Sequence, residues 1–103
     1  MIVVSVSYPN DPATKFDHAY YLEKHIPLVK QRWSSMGLQS VQVLRGVGTA
    51  DGGPPPIRLT ALLGWESGDA LGKAIAAHGD EIFADIANFT DSKPALQINE
   101  PAG

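Results

Sequence analysis

SVQVLRGV at residues 40–47 and IRLTALLGW at residues 57–65 decide the fold, because each reads as a strand and no helix fits between them. In the first, Val41, Val43, Arg45 and Val47 alternate with Gln42, Leu44 and Gly46, the two-residue period of a pleated ribbon. The link between them carries Gly48, Asp51, Gly52, Gly53 and Pro54 to Pro56, residues that cannot sit inside a hydrogen-bonded ladder. Two strands joined by a short, turn-rich link predict an antiparallel hairpin.

Each side of this hairpin repeats the same order of elements. Upstream, residues 15 to 36 predict a helix: Thr14 followed by Asp17 supplies the start signal, and Leu22, Ile26, Val29, Trp33 and Met36 form its apolar stripe. Gly37 is the glycine expected just past the helix end. Residues 2 to 8, IVVSVSY, are rich in β-branched types and predict an opening strand that Pro9, Asn10, Asp11 and Pro12 stop. Downstream, Ser67 and Asp69 open a second helix with Leu71, Ile75, His78 and Ile82 inward, continuing toward Asp85, Ile86 and Phe89, with Gly79 a candidate bend. Residues 94 to 99 predict a short last strand. The order strand, helix, strand, strand, helix, strand is that of a ferredoxin-like α+β domain. It implies a four-stranded antiparallel sheet with both helices on one face, spanning residues 1–103 as one domain.

With 103 residues, 44% hydrophobic and 18% charged, the chain has the composition of one folded unit. A net charge of -3 and the lack of a basic run argue against a nucleic-acid partner. No stretch approaches the roughly 20 apolar residues that span a bilayer, so no membrane partner is expected. The apolar opening, Met1 to Val4, lacks the preceding positive charges of a secretory signal. With no cysteine present, disulfides, thiolate metal sites and cysteine nucleophiles are excluded, and a cytoplasmic location is expected.

Two helices cover one face of such a sheet, and the alternation bears on the other. Ile2, Val4, Val6, Val41, Val43, Leu59, Ala61 and Leu63 belong to the helix side, while Val3, Leu44, Thr60 and Leu62 fall on the far side. Small and apolar residues in place of Lys and Glu predict that a second copy of the chain covers that face.

Candidate chemistry centres on His25. It lies on the flank of the first helix stripe with His18, Tyr21 and Arg32, at the edge of the core, and Pro27 should kink or open the helix beside it. The alternative is a partly buried histidine satisfied by one carbonyl. His78 sits in the second stripe where an apolar residue is the rule, with Asp85 two turns on. Both could join Tyr8, Tyr21 and His25 around a cavity between helices and sheet as acid/base groups, or His78 could cap the helix near Gly79 and Asp85 could face solvent. His18 and His25 are about 10 Å apart on a helix, too far to share an ion, so no metal is expected. The nucleotide-binding glycine patterns and the serine-hydrolase elbow do not occur, and no cofactor is expected. Trp33 and Trp65 read as core or interface aromatics rather than a cofactor platform.

Tyr8-Pro9, Phe16-Asp17, Tyr20-Tyr21, His25 and Pro27-Leu28 resemble the opening signature of the EthD family. His78-Gly79, Glu81-Ile82, Asp85-Ile86, the run Asn88 to Asp91, Pro94, Gln97 and Glu100 are similar to its second half, so the resemblance covers nearly the whole chain. It implies a dimeric α+β barrel in which two such sheets pack face to face with helices outside. Related barrels include cofactor-independent monooxygenases, cyclases, isomerases and haem-degrading enzymes, a range that fold alone does not narrow. Residue by residue, His25 and Tyr21 match the first helix of the signature, His78 the second, and Asp85, Asn88 and Asp91 the closing run. The expected site therefore has His25, His78 and Tyr21 as catalytic groups, with Tyr8, Trp33, Trp65, Asp85 and Asn88 against the substrate. The expected partner is a small hydrophobic organic molecule. Two functions are in view: a homodimeric, cofactor-free enzyme with His25 as acid or base, or a binding protein serving a neighbouring oxidising system.

Overall fold

The computed structural model describes residues 1–103. Strand β1 (Ile2–Pro9) is central, paired antiparallel with β3 (Ile57–Trp65) on one side and β4 (Ala95–Asn99) on the other. Strand β2 (Leu38–Arg45) pairs antiparallel with β3, giving the order β2-β3-β1-β4 of a ferredoxin-like sheet. The register sets Val4 opposite Leu63 and Ile98, and Val6 opposite Ala61 and Leu96, so the inward β-branched positions meet on one face as their alternation requires. The shortest dimension, 19 Å, is that of one sheet and one helix layer.

Helical structure on that face comes in two stretches. The first joins α1 (His18–Tyr20), a wide π turn at Tyr21–His25, α2 (Ile26–Trp33) and a 3₁₀ turn at Ser34–Met36. The second is α3 (Gly68–Asp85), followed by a 3₁₀ turn at Ile86–Asn88. Ser67 caps α3 by accepting the Ala70 N–H at 3.1 Å, as its sequence position predicts. The helix runs unbroken past Gly79. The two stretches meet at Ala74, wholly buried, whose carbonyl accepts the Trp33 indole N–H at 2.8 Å. Val4, Leu63, Trp65, Leu71 and Ile82 complete this core.

Several boundaries differ from the sequence reading. The first helix begins at His18, not residue 15, because Asp17 is the cap that accepts the Tyr20 N–H. Thr14 instead donates its hydroxyl to the Asp11 carbonyl in a turn, and Phe16 forms an isolated bridge with Thr90. Strand β2 starts at Leu38 rather than residue 40 and ends before Val47, which is exposed. The early start follows from Gly37, whose φ of 102° turns the chain straight from helix to strand. A Cβ at position 37 would also stand 2.7 Å from the Ala70 Cβ. Gly37→Ala is therefore expected to destabilise the fold by roughly 1–3 kcal/mol, read as a lower Tm in thermal unfolding.

The apolar stripe of the first helix also shifts. Leu22, expected inward, is 54% exposed, and Tyr21 takes its place in the core. The π turn is the reason: Ile26 N–H bonds the Tyr21 carbonyl five residues back, so the residue one turn below Ile26 on the inner side is 21 and not 22. Pro27 accounts for the widening, since it has no N–H and its ring would press on the Glu23 carbonyl in a regular helix. The opening expected beside His25 thus takes the form of this widened turn, and the helix continues through Pro27 without a break.

Candidate active site

A cavity of about 50 Å³ lies between helices and sheet, room for a few water molecules or part of a small organic ligand. Of its eighteen lining residues seventeen are hydrophobic or aromatic, and His25 is the exception. Leu96 and Ile98 of β4 lie at its margin, 45% and 59% exposed, because the helices do not reach over that edge strand.

The π turn carries His25 inward, so the imidazole is 5% exposed rather than placed at the edge of the core as its position on a regular helix implied. It stacks on Tyr21 with ring centroids 5.6 Å apart and packs against Phe89 at 4.7 Å. Nδ1 lies 2.9 Å from Asp85 Oδ2. A carboxylate can only accept there, so Nδ1 carries the proton and Nε2 is left with its lone pair free. Nε2 has no protein partner, yet it is not enclosed: the one fully enclosed side-chain polar atom without a partner is Trp65 Nε1.

Asp85 is held in turn by two further groups. Tyr20 donates its hydroxyl to Asp85 Oδ1 at 2.7 Å, and Asn88 donates its amide to the same oxygen at 2.9 Å. Burial by itself would raise the carboxyl, but hydrogen bonds from Tyr20, Asn88 and His25 together hold its pKa below the ordinary value. Burial lowers the His25 pKa below its ordinary 6.5, and this outweighs the opposite pull of Asp85. At neutral pH the pair is therefore an anionic carboxylate beside a neutral imidazole. Asp85→Asn removes the group that favours the imidazolium, so it is expected to lower the His25 pKa further, measured by NMR titration of the ring.

Tyr8 and Tyr21 also wall the cavity, each 1% exposed, with ring centroids 6.0 Å apart. Burial drives both phenol pKa values well above the ordinary 10, so both stay protonated. Neither hydroxyl has a protein partner, and neither is fully enclosed.

Of the residues singled out in the sequence, His25, Tyr21, Tyr8, Trp33 and Trp65 all line the cavity. Trp33 and Trp65 pack edge to face at 5.3 Å deep in the core. Asp85 touches the cavity only through His25, and Asn88 is exposed and reaches it only through Asp85. His78 is the outlier. It is half-buried, makes no side-chain hydrogen bond and is not a cavity wall: the second helical stretch meets the cavity through Leu71, Ile75, Ile82, Phe83 and Ile86, on either side of it in sequence. Tyr20 and Phe89 were not among the expected site residues. The adjacent pair Tyr20-Tyr21 was the available signal, but the face of each depends on the π turn.

No family model matches the sequence, and no curated protein matches it. Solved structures do. An EthD-like protein from Ralstonia eutropha JMP134 is 38% identical over 99% of this chain and 92% of its own, with a TM-score of 0.89. The chain belongs to the EthD family. An ethyl tert-butyl ether D (EthD) family protein from Bacillus halodurans C-125 superposes with a TM-score of 0.80 at 22% identity, over 98% of both chains. SnoaB, a cofactor-independent oxygenase from Streptomyces nogalater, shares the fold of this EthD protein at a TM-score of 0.68 and 12% identity, over 99% of this chain and 93% of its own. The EthD membership agrees with the resemblance read from the paired signatures around His25 and Asp85. No helix is long and apolar enough to cross a membrane, and no three His, Asp or Glu side chains stand close enough together to hold a metal ion.

Proposed function

We propose that this EthD protein is a homodimeric, cofactor-free enzyme of small-molecule catabolism that moves a proton on a small apolar organic substrate, with His25 as acid and base. The observation that supports this reading best is the pairing of His25 Nδ1 with Asp85 at 2.9 Å, which leaves Nε2 unprotonated on a side chain that lines an apolar cavity. A base in such surroundings needs an orienting partner and a substrate pocket that limits water, and both are present. Isomerisation, cyclisation and cofactor-free oxygenation can each open with removal of a substrate proton. The fold shared with the Streptomyces nogalater oxygenase is compatible with the last of these. Tyr21 and Tyr8 orient the substrate, and Trp33 and Trp65 form the floor of its pocket.

Dimerisation rests on the open face of the sheet. There Ser5 stands opposite Leu62 and Gln97, Ser7 opposite Thr60, and Gln42 opposite Leu62, with no charged side chain through the middle. Only 19 of 103 residues are buried in one chain, a small core for this length, and a second sheet would enlarge it.

Exchange of α protons tests the catalytic reading. An enolisable apolar ketone such as 2-tetralone in D₂O, followed by NMR, is expected to exchange faster with the protein than in buffer containing equimolar imidazole. Binding without accelerated exchange would favour a non-catalytic carrier for a neighbouring oxidising system, and neither binding nor exchange would overturn the pocket itself.

A further inference from the structure

Tyr8 and Tyr21 present a second chemical function beside the base. Both residues line the cavity that His25 lines, each is only 1% exposed, and neither hydroxyl is used by any protein acceptor. Buried hydroxyls normally find a partner, and when both partners are missing at a cavity wall a ligand is the natural acceptor. The rings are held rigidly: Tyr8 packs edge-on against Phe16, Tyr21 and Phe89, and Tyr21 stacks on His25 itself. Donors fixed in this way stabilise a developing negative charge without having to reorganise.

We propose that the Tyr8 and Tyr21 hydroxyls form an oxyanion-binding pair, and that the site therefore takes apolar molecules carrying an acidic O–H, or a C–H next to a carbonyl. The inference rests on the reading of His25 as the base. The proton leaves the substrate for His25 Nε2. From an O–H the bond's electron pair stays on the oxygen, and from a C–H it forms the C=C bond of an enolate while the carbonyl π pair moves to the oxygen. In both cases the two phenol O–H groups donate to that oxygen. No oxidant or reductant enters this step. The phenols do not surrender their own protons, because burial holds both above the ordinary phenol range.

The pair can be tested without knowing the natural substrate. The probes are 4-nitrophenol, whose phenolate form has its own visible absorption band, and 4-nitroanisole, a neutral relative that cannot ionise. Near the pKa of 4-nitrophenol, the wild-type protein is expected to bind the phenolate at least tenfold more tightly than 4-nitroanisole. Tyr21→Phe and Tyr8→Phe are each expected to lower phenolate affinity about tenfold, the loss of one hydrogen bond to a charged group, and to lower 4-nitroanisole affinity by a clearly smaller factor. Equal binding of the two probes by wild type, or equal losses for both probes in the variants, would overturn the oxyanion pair and leave the pocket reading standing. Binding of neither probe would remove the pocket reading as well. The wild-type preference needs no variant, so it decides the matter even if one phenylalanine variant fails to fold.

Discussion

His25→Gln is expected to slow ketone α-proton exchange by about a hundredfold or more while the protein stays folded, the usual contribution of a positioned base. Glutamine is the informative replacement because its amide can still donate to Asp85, as Nδ1–H does in the native protein at 2.9 Å, but it has no nitrogen able to take a proton at neutral pH. Alanine would add a void beside Tyr21 and Phe89 and leave one side of Asp85 unpartnered, which mixes a stability loss of about 1–3 kcal/mol with the chemical one. Retained exchange in a folded His25→Gln protein would remove His25 from the chemistry. The pH dependence has a fixed sign. Because burial depresses the His25 pKa in the folded state, the stability it contributes is fully present above the unfolded value of about 6.5 and is lost as pH falls below it, through the folded pKa. Exchange should decline over the same acid range as Nε2 takes up a proton from solvent. In Asp85→Asn this decline should move to lower pH, in step with the ring titration.

Leu62→Asp is expected to convert a dimer into a folded monomer of 11.0 kDa at micromolar concentration, measured by sedimentation. Leu62 lies at the centre of the open sheet face, paired with Ser5 of β1 and Gln42 of β2. In one chain it is only half-buried, so an aspartate there keeps access to water and costs the monomer little. Against a second sheet the same carboxylate would be buried without a cation, a penalty of about 3–5 kcal/mol and comparable to what a modest interface has to spare. A wild-type protein that sediments as a monomer would defeat the dimer, and a variant that stays dimeric would place the interface elsewhere. Circular dichroism of the variant should match wild type, which separates dissociation from unfolding.

The sequence by itself determined the architecture, because the signals that carry it are local. Alternation through residues 40–47 and 57–65, the Ser67 cap and Gly37 each act within a few residues, and they specify strands, helix ends and which side chains share a face. His25, Tyr21 and Tyr8 could be named as candidate site residues from the same local signals, helped by the EthD-like signature they sit in. The arrangement of the site was decided only in three dimensions. A single widened turn at Tyr21–His25 exchanges Leu22 for Tyr21 and swings His25 from flank to interior, and a periodicity of 3.6 residues cannot register one added residue. Asp85 meets His25 across 60 residues of chain, and Tyr20 meets Asp85 across 65. His78, well placed on its own helical wheel, does not line the cavity, which α3 meets through Leu71, Ile75, Ile82 and Phe83 instead. Such contacts depend on how two helices settle against one sheet, so no local pattern encodes them and only the folded chain does.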